Sequence, residues 1–174
     1  MHDCVHAVEV RGLQTEGIYR MSGKKAAVEK LKLYFCYGRP NLLSEEDWDD
    51  VHVISGLLKL FFRELPDPVL TFALYDEWID AINRPPAEQA SHLLAVLKKL
   101  PKINYETLKV MIAHLKRVAE SSDINKMKID NVSIVFGPTL MRSKIDDDFS
   151  HMSSQCNVIE ALILQYDYFF DISN

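Results

Sequence analysis

The stretch Ile129–Leu140, IDNVSIVFGPTL, decides the fold class of this chain. Val132, Ile134, Val135 and Phe136 make a short apolar run, and such a run suits a buried strand or a buried helix. Gly137-Pro138 is expected to end it after a short span. A strand needs a second strand to satisfy its backbone N–H and C=O groups, and no other segment reads as one. The expectation is a buried helix, and with it an all-α fold.

Outward from that stretch, helical periodicity continues in both directions. After Pro101, a long segment to about Glu120 carries Leu108, Met111, Ile112, Leu115 and Val118 at spacings of three and four, one face of a helix. Pro85-Pro86 separates a helix holding Leu93, Leu94, Val96, Leu97 and Leu100 from one marked by Tyr75, Trp78, Ile79 and Ile82. The most apolar helix is expected from about Val51 to Leu65, ended by the two prolines of LPDPVL. Glu45, Glu46, Asp47, Asp49 and Asp50 precede it, where carboxylates suit the positive end of a helix dipole.

Lys24 and Lys25 open an earlier helix with Val28, Leu31, Tyr34 and Phe35 on one face, broken by Gly38, Arg39, Pro40 and Asn41. Before it lies a glycine-punctuated loop, GLQTEGIYRMSG (Gly12–Gly23), and before that a short helix with Val5, Val8 and Val10. The last helix is expected from about Ser150 to Phe170. The reading is a single-domain bundle over residues 1–174, of about eight or nine helices, without internal repeats.

Composition narrows the function classes. With 48% hydrophobic and 26% charged residues the chain is ordinary globular material. Its 174 residues suffice to bury roughly 70% of the unfolded surface. Twenty Lys+Arg against twenty-five Asp+Glu leave a net charge of −5, whereas a general nucleic-acid binder wants a basic surplus. Six glycines are few for a turn-dense all-β fold. No apolar run approaches the ~20 residues that span a bilayer. Met1 is followed by no basic start and no apolar core of a signal peptide, so the cytoplasm is the expected location. Cys4, Cys36 and Cys156 are odd in number and without a CxxC, which reads as reduced thiols.

Three motifs invite chemistry and fail on detail. His2 and His6 share a helix face, but Asp3 is a methylene shorter than the glutamate of HExxH. Gly17–Lys24 has five residues between its glycines and Lys25 where a P-loop needs Ser or Thr. Asp146-Asp147-Asp148 lacks the alternating spacing and glycine of a calcium loop. No metal site is expected. Three other features remain. Arg20 lies between Tyr19 and Met21 in a loop bounded by Gly17 and Gly23. His52, Gly56, Lys59 and Arg63 recur at helical spacing as a polar stripe, expected to be exposed, while Leu57, Leu58, Phe61 and Leu65 face elsewhere. Asn131 stands just ahead of the apolar run, where an Asn often caps.

Taken together, TEGIYRMSG (Thr15–Gly23), LLKLFFRELPDPVL (Leu57–Leu70) and NVSIVFGPTLMR (Asn131–Arg142) resemble the three signature blocks of RhoGAP domains, the GTPase-activating modules for Rho-family small G proteins. The blocks stand in the family's order and separations, and the resemblance runs from CVHAVE (Cys4–Glu9) to the C-terminal helix. The chain opens at the first shared helix, so the family's N-terminal segment is expected to be short or missing. The loop Gly38–Asp50 has no residue-by-residue counterpart.

The resemblance implies a function. The partner would be a Rho, Rac or Cdc42 type GTPase in its GTP-bound state, which holds GTP and magnesium itself, so this domain needs no cofactor of its own. Arg20 matches the family's arginine finger, supplied in trans. Lys59, Arg63 and Asn131 match positions lining the GTPase-binding groove, with Asn131 bonding either the partner or the finger loop. Gly137-Pro138 matches a structural GP turn. The resemblance further implies a monomer without independent hydrolase activity, recruited to membranes, if at all, by flanking domains. The alternative is an inactive module of the same fold that docks without accelerating hydrolysis. Such domains typically lose the arginine or the groove residues, and here all are present.

Overall fold

The computed structural model describes residues 1–38, 50–144 and 150–170. Arg39, Pro40 and Asn41, the acidic run from Glu45 to Asp49, and Asp146–Asp148 lie outside the described residues. Ten α-helices form among the described residues, and no strand. They are α1 His2–Arg11, α2 Lys25–Cys36, α3 Val51–Arg63, α4 Tyr75–Ile82, α5 Pro86–Leu97, α6 Lys102–Glu120, α7 Ser122–Asn125, α8 Ile129–Leu140, α9 Met152–Leu164 and α10 Tyr166–Phe170. A turn of 3₁₀ helix, Phe72–Leu74, precedes α4.

The count exceeds the sequence expectation for two local reasons. α7 is one turn long, too short to show a period, and ends on Lys126 in the left-handed region at φ 61°. The C-terminal helix breaks at Gln165 into α9 and α10. Elsewhere the starts follow local chemistry. Asp50 accepts a hydrogen bond from the His52 N–H at 2.9 Å and caps α3. Pro86 occupies the first turn of α5, where its missing N–H costs nothing.

The deciding stretch is a helix, α8, with Val132, Phe136 and Leu140 wholly buried. Contrary to the sequence expectation, Gly137-Pro138 does not end it. The helix carries Pro138 inside and continues to Leu140. Gly137 is needed for packing rather than for a turn. A Cβ there would sit 2.9 Å from the Cys156 backbone nitrogen, so α8 and α9 meet backbone to backbone. Thr139 donates its hydroxyl back to the Val135 carbonyl at 2.7 Å.

α8 and α9 form the centre, with α3 and α6 packed on them and α1 bridging α3 and α6. Trp78 is fully buried and donates its indole N–H to the Leu70 carbonyl at 3.1 Å, pinning α4 to the LPDPVL segment. Buried side chains from all these helices join in one hydrophobic core. No helix among the described residues is long and apolar enough to cross a membrane.

Candidate functional site

The Gly12–Gly23 loop is a chain of tight turns with its apolar residues turned in. Ile18 and Tyr19 are completely buried, and Arg20, the next residue, is exposed. Gly17 and Tyr19 both have φ of 68°. Glycine takes that conformation freely, whereas a bulky residue does so only where its surroundings hold it. Those surroundings are specific. The Tyr19 ring stands edge-on to Phe136 of α8 with centroids 4.8 Å apart. Its hydroxyl lies 2.5 Å from Nε2 of His114 on α6. Its carbonyl accepts from the Lys59 ammonium on α3. The Arg20 and Met21 N–H groups both donate to the Gly17 carbonyl, at 2.9 and 2.8 Å. At the loop's end, a Cβ on Gly23 would lie 2.6 Å from the Val53 nitrogen, so only glycine lets the chain pass α3.

Lys59 therefore departs from the exposed stripe expected of it. It is 8% exposed, and its ammonium points under the loop. Burial lowers its pKa, and the neighbouring Arg63 charge lowers it further. Gly56, in the same stripe, faces Val28 of α2, while Phe61 is substantially exposed. Arg63 is exposed as expected, and its Nε donates to the Thr139 hydroxyl on α8 at 3.3 Å. α3 is held by Arg142, the last residue of the third sequence block, which donates to the Phe62 and Leu65 carbonyls at the helix end.

Asn131 is half-buried and donates its amide to the Lys126 carbonyl at 3.1 Å. It steadies the turn between α7 and α8, and that turn touches the loop. The carbonyl of Asn125, one residue earlier, accepts from the Gly17 N–H at 2.8 Å. Asn125 is a residue that the sequence pattern does not single out. Fully buried, its amide donates to the Leu13 and Val118 carbonyls and its side-chain oxygen accepts from Met127 N–H, each at 2.8 Å. One side chain thus ties the loop, α6 and the α7–α8 turn together. Only its place at the end of a polar SSDIN stretch hints at a role.

A second element absent from the sequence pattern lies deeper. His114, fully buried, sets Nδ1 2.8 Å from Glu9 Oε1 on α1. The same oxygen takes Arg117 Nε and Nη2 at 2.8 and 2.6 Å. Burial pushes the Glu9 carboxyl up, but the hydrogen bonds from His114 and Arg117 outweigh it and leave its pKa below the ordinary value. For His114 burial wins over the Glu9 interaction, and its pKa is lowered.

Acid should therefore loosen this network. His114 titrates near 6.5 when unfolded and lower when folded. Between those values the unfolded chain binds the extra proton, so stability is full above about pH 6.5 and declines as pH falls. Glu9 acts in the same direction, because the stability from its depressed pKa is lost as pH falls through its folded value. Denaturation midpoints followed from about pH 8 to about pH 4 are expected to drop, and His114→Gln is expected to flatten the upper part of that slope. A wild-type midpoint that holds or rises on acidification contradicts this.

The two histidines of α1, His2 and His6, are both exposed. No group of three or more His, Cys, Asp or Glu able to hold a metal occurs among the described residues. The three cysteines are free thiols.

These contacts leave an exposed arginine on a tightly tied loop, with a buried Lys59 beneath the loop and an exposed Arg63 bonded across to α8. Residues 1–145 match the RhoGAP domain model. The chain belongs to the RhoGAP domain family. It is 44% identical over 173 residues to Rho GTPase-activating protein 21 of Xenopus tropicalis, covering 96% of this chain and 9% of that protein. It is 36% identical over 173 residues to Rho GTPase-activating protein 15 of Gallus gallus, covering 98% of this chain and 36% of that one. The chain thus spans a minor part of the length of these relatives. Among solved structures, human Rho GTPase activating protein 15 superposes with a TM-score of 0.92 at 34% identity, covering 97% of this chain and 82% of that chain. The BH domain from GRAF, the GTPase regulator associated with focal adhesion kinase, gives 0.87 at 30% identity, covering 98% and 92%. In this RhoGAP chain Lys59 bonds the Gly12–Gly23 loop directly, and Asn131 bonds the turn before α8, which itself touches the loop.

Proposed function

We propose that residues 1–174 act as one GTPase-activating domain, binding a Rho-family small GTPase in its GTP-bound state and supplying Arg20 to the nucleotide. The partner holds GTP and magnesium, and this chain brings no cofactor. The domain acts as a monomer. The observation that carries the reading is the contrast within one loop. Ile18 and Tyr19, just before Arg20, are buried in the core and the Arg20 and Met21 N–H groups are bonded to the Gly17 carbonyl, while the Arg20 side chain stands exposed without a hydrogen-bond or ion-pair partner among the described residues. A side chain so placed is ready for another molecule's pocket.

The chemistry suits an arginine. Charge develops on the phosphoryl oxygens and the bridging oxygen as the bond to GDP breaks, and a planar, permanently charged fork can bond two of those oxygens. An arginine finger of this kind accelerates hydrolysis by about 10³–10⁵, roughly 4–7 kcal/mol of barrier. Arg63 offers a second cation to acidic groups of the partner. Lys59 contributes first by holding the carbonyl before Arg20. A phosphate-release assay with Rho, Rac and Cdc42 type GTPases tests the reading. Acceleration of at least one is expected, and no acceleration of any overturns it.

The groove residues should separate by mechanism. Lys59→Met is expected to destabilise the fold by about 1–3 kcal/mol, because it strands the buried Tyr19 carbonyl. Arg63→Ala is expected to cost about 0.5 kcal/mol or less in stability, as for an exposed residue. It should instead weaken GTPase binding and flatten its salt dependence. Denaturant titration beside binding at two salt concentrations checks both. Equal stability losses, or unchanged affinity for Arg63→Ala, would count against these roles.

A further inference from the structure

We infer that His114 is a positioning residue for Arg20, acting through the Tyr19 hydroxyl, with Glu9 fixing the tautomer that makes this possible. The inference rests on the reading of Arg20 as the group delivered to the partner.

The hydrogen-bond chain starts at Glu9, the end farthest from the loop. Arg117 and His114 both approach Oε1 of Glu9. An ionised carboxylate only accepts, so Nδ1 of His114 carries the ring proton and donates it. Burial keeps the ring neutral, which leaves Nε2 as a bare lone pair. The Tyr19 phenol, held protonated by burial, must then be the donor across the 2.5 Å contact. Every hydrogen bond in the chain has one direction. Arg117 donates to Glu9, His114 donates to Glu9, and Tyr19 donates to His114.

The near end is the backbone. Tyr19 holds a left-handed φ of 68°, and the peptide that follows it leads directly into Arg20. Three contacts keep Tyr19 there, namely the Phe136 edge, the Lys59 ammonium and the His114 lone pair. The first fixes the ring's plane and the second its carbonyl. The third fixes how deep the ring sits, because the hydroxyl is at the far tip of the side chain. A ring free to slide along its axis carries the Tyr19 Cα with it and moves the base of Arg20. His114 touches neither Arg20 nor the partner, so its action is on placement. A misplacement of the reacting group by about 1 Å lowers rate far more than affinity.

Tyr19→Phe removes the hydroxyl and keeps the ring. Single-turnover GTP hydrolysis at saturating domain is expected to slow about three- to tenfold, while the half-saturating concentration stays within about twofold. In an Arg20→Ala background the same substitution is expected to have no further effect, because residues acting as a unit are not additive. His114→Phe should lose at least as much, and His114→Gln, whose amide oxygen can accept from the hydroxyl, should recover most of it. An independent readout uses the domain alone. Amide exchange at Arg20 and Met21 should quicken in Tyr19→Phe while α5 is unchanged. An unaltered rate, a loss seen only in half-saturation, or a loss that persists in the Arg20→Ala background overturns the inference, as does unaltered exchange. If wild-type domain accelerates no GTPase yet exchange at Arg20 and Met21 responds, the reading of activity fails and the control of the loop by His114 stands.

Discussion

Arg20→Ala is expected to lower the stimulated hydrolysis rate by two or more decades while stability moves by about 0.5 kcal/mol or less. The stability half follows from geometry. Arg20 is exposed, and the loop around it is held by backbone bonds to Gly17 and by its buried neighbours Ile18 and Tyr19. None of those contacts uses the Arg20 side chain. The rate half follows from when the charge is needed. The phosphoryl oxygens gain charge in the transition state, so a cation placed there lowers the barrier more than it tightens ground-state binding. Arg20→Lys is expected to recover little, because lysine keeps the charge and loses the two-pronged donor. Single-turnover hydrolysis and thermal melts on the same preparations check both halves. Rate loss matched by a large loss of stability would mean that Arg20 works as a structural residue.

The second large effect concerns the support rather than the tip. Phe136→Ala is expected to cost about 3–5 kcal/mol of stability, the range for removing a buried Phe without collapse of the cavity. Phe136 is wholly buried on α8, which packs against α9, α3 and α6. The cavity cannot close easily, because α8 is already in backbone contact with α9 at Gly137. Set against the roughly 5–15 kcal/mol total of a natural domain, that loss leaves the fold marginal. Phe136 also forms the wall against which the Tyr19 ring stands. A domain that still folds should therefore hydrolyse more slowly at saturation. Phe136→Leu, which keeps most of the volume, should restore stability more fully than rate. Denaturant unfolding beside saturating hydrolysis measures the two losses separately, and a Phe136→Ala cost below about 1 kcal/mol would refute the packing account.

Helix faces are legible in the sequence because they are local. The three- and four-residue spacing of Leu108, Met111, Ile112, Leu115 and Val118 is the buried face of α6, and each of these residues is fully enclosed. The stretch around Phe136 is legible as a helix by the lack of any strand to pair with. Local pattern misplaces the end of α8. Pro138 normally breaks a helix interior, but here it stands two residues from the end of α8, on a helix held in close backbone packing with α9.

The site is legible only in part. Arg20 is conspicuous from its glycine-bounded loop, and it is exposed. Lys59 is not, because helical spacing gives the face of α3 and not what lies over it. Its partner is a carbonyl 40 residues away. The Tyr19–His114 and Glu9–His114 pairs are 95 and 105 residues apart in sequence. A lone histidine on an apolar helix face carries no local sign of such partners. Asn125 escapes for the same reason, since its role emerges only when the loop folds back onto the turn after α7.

If Arg20 acts on the transition state of a partner's hydrolysis, its effect must show in affinity for a mimic of that state. The most direct test is the affinity of the domain for a responsive GTPase loaded with GDP and aluminium fluoride, set beside the same GTPase loaded with a GTP analogue. The fluoride stands in for the phosphoryl group in flight. Wild-type domain is predicted to prefer the fluoride complex, and Arg20→Ala to lose that preference while binding the analogue complex nearly as before. Retention of the full preference by Arg20→Ala would contradict the account.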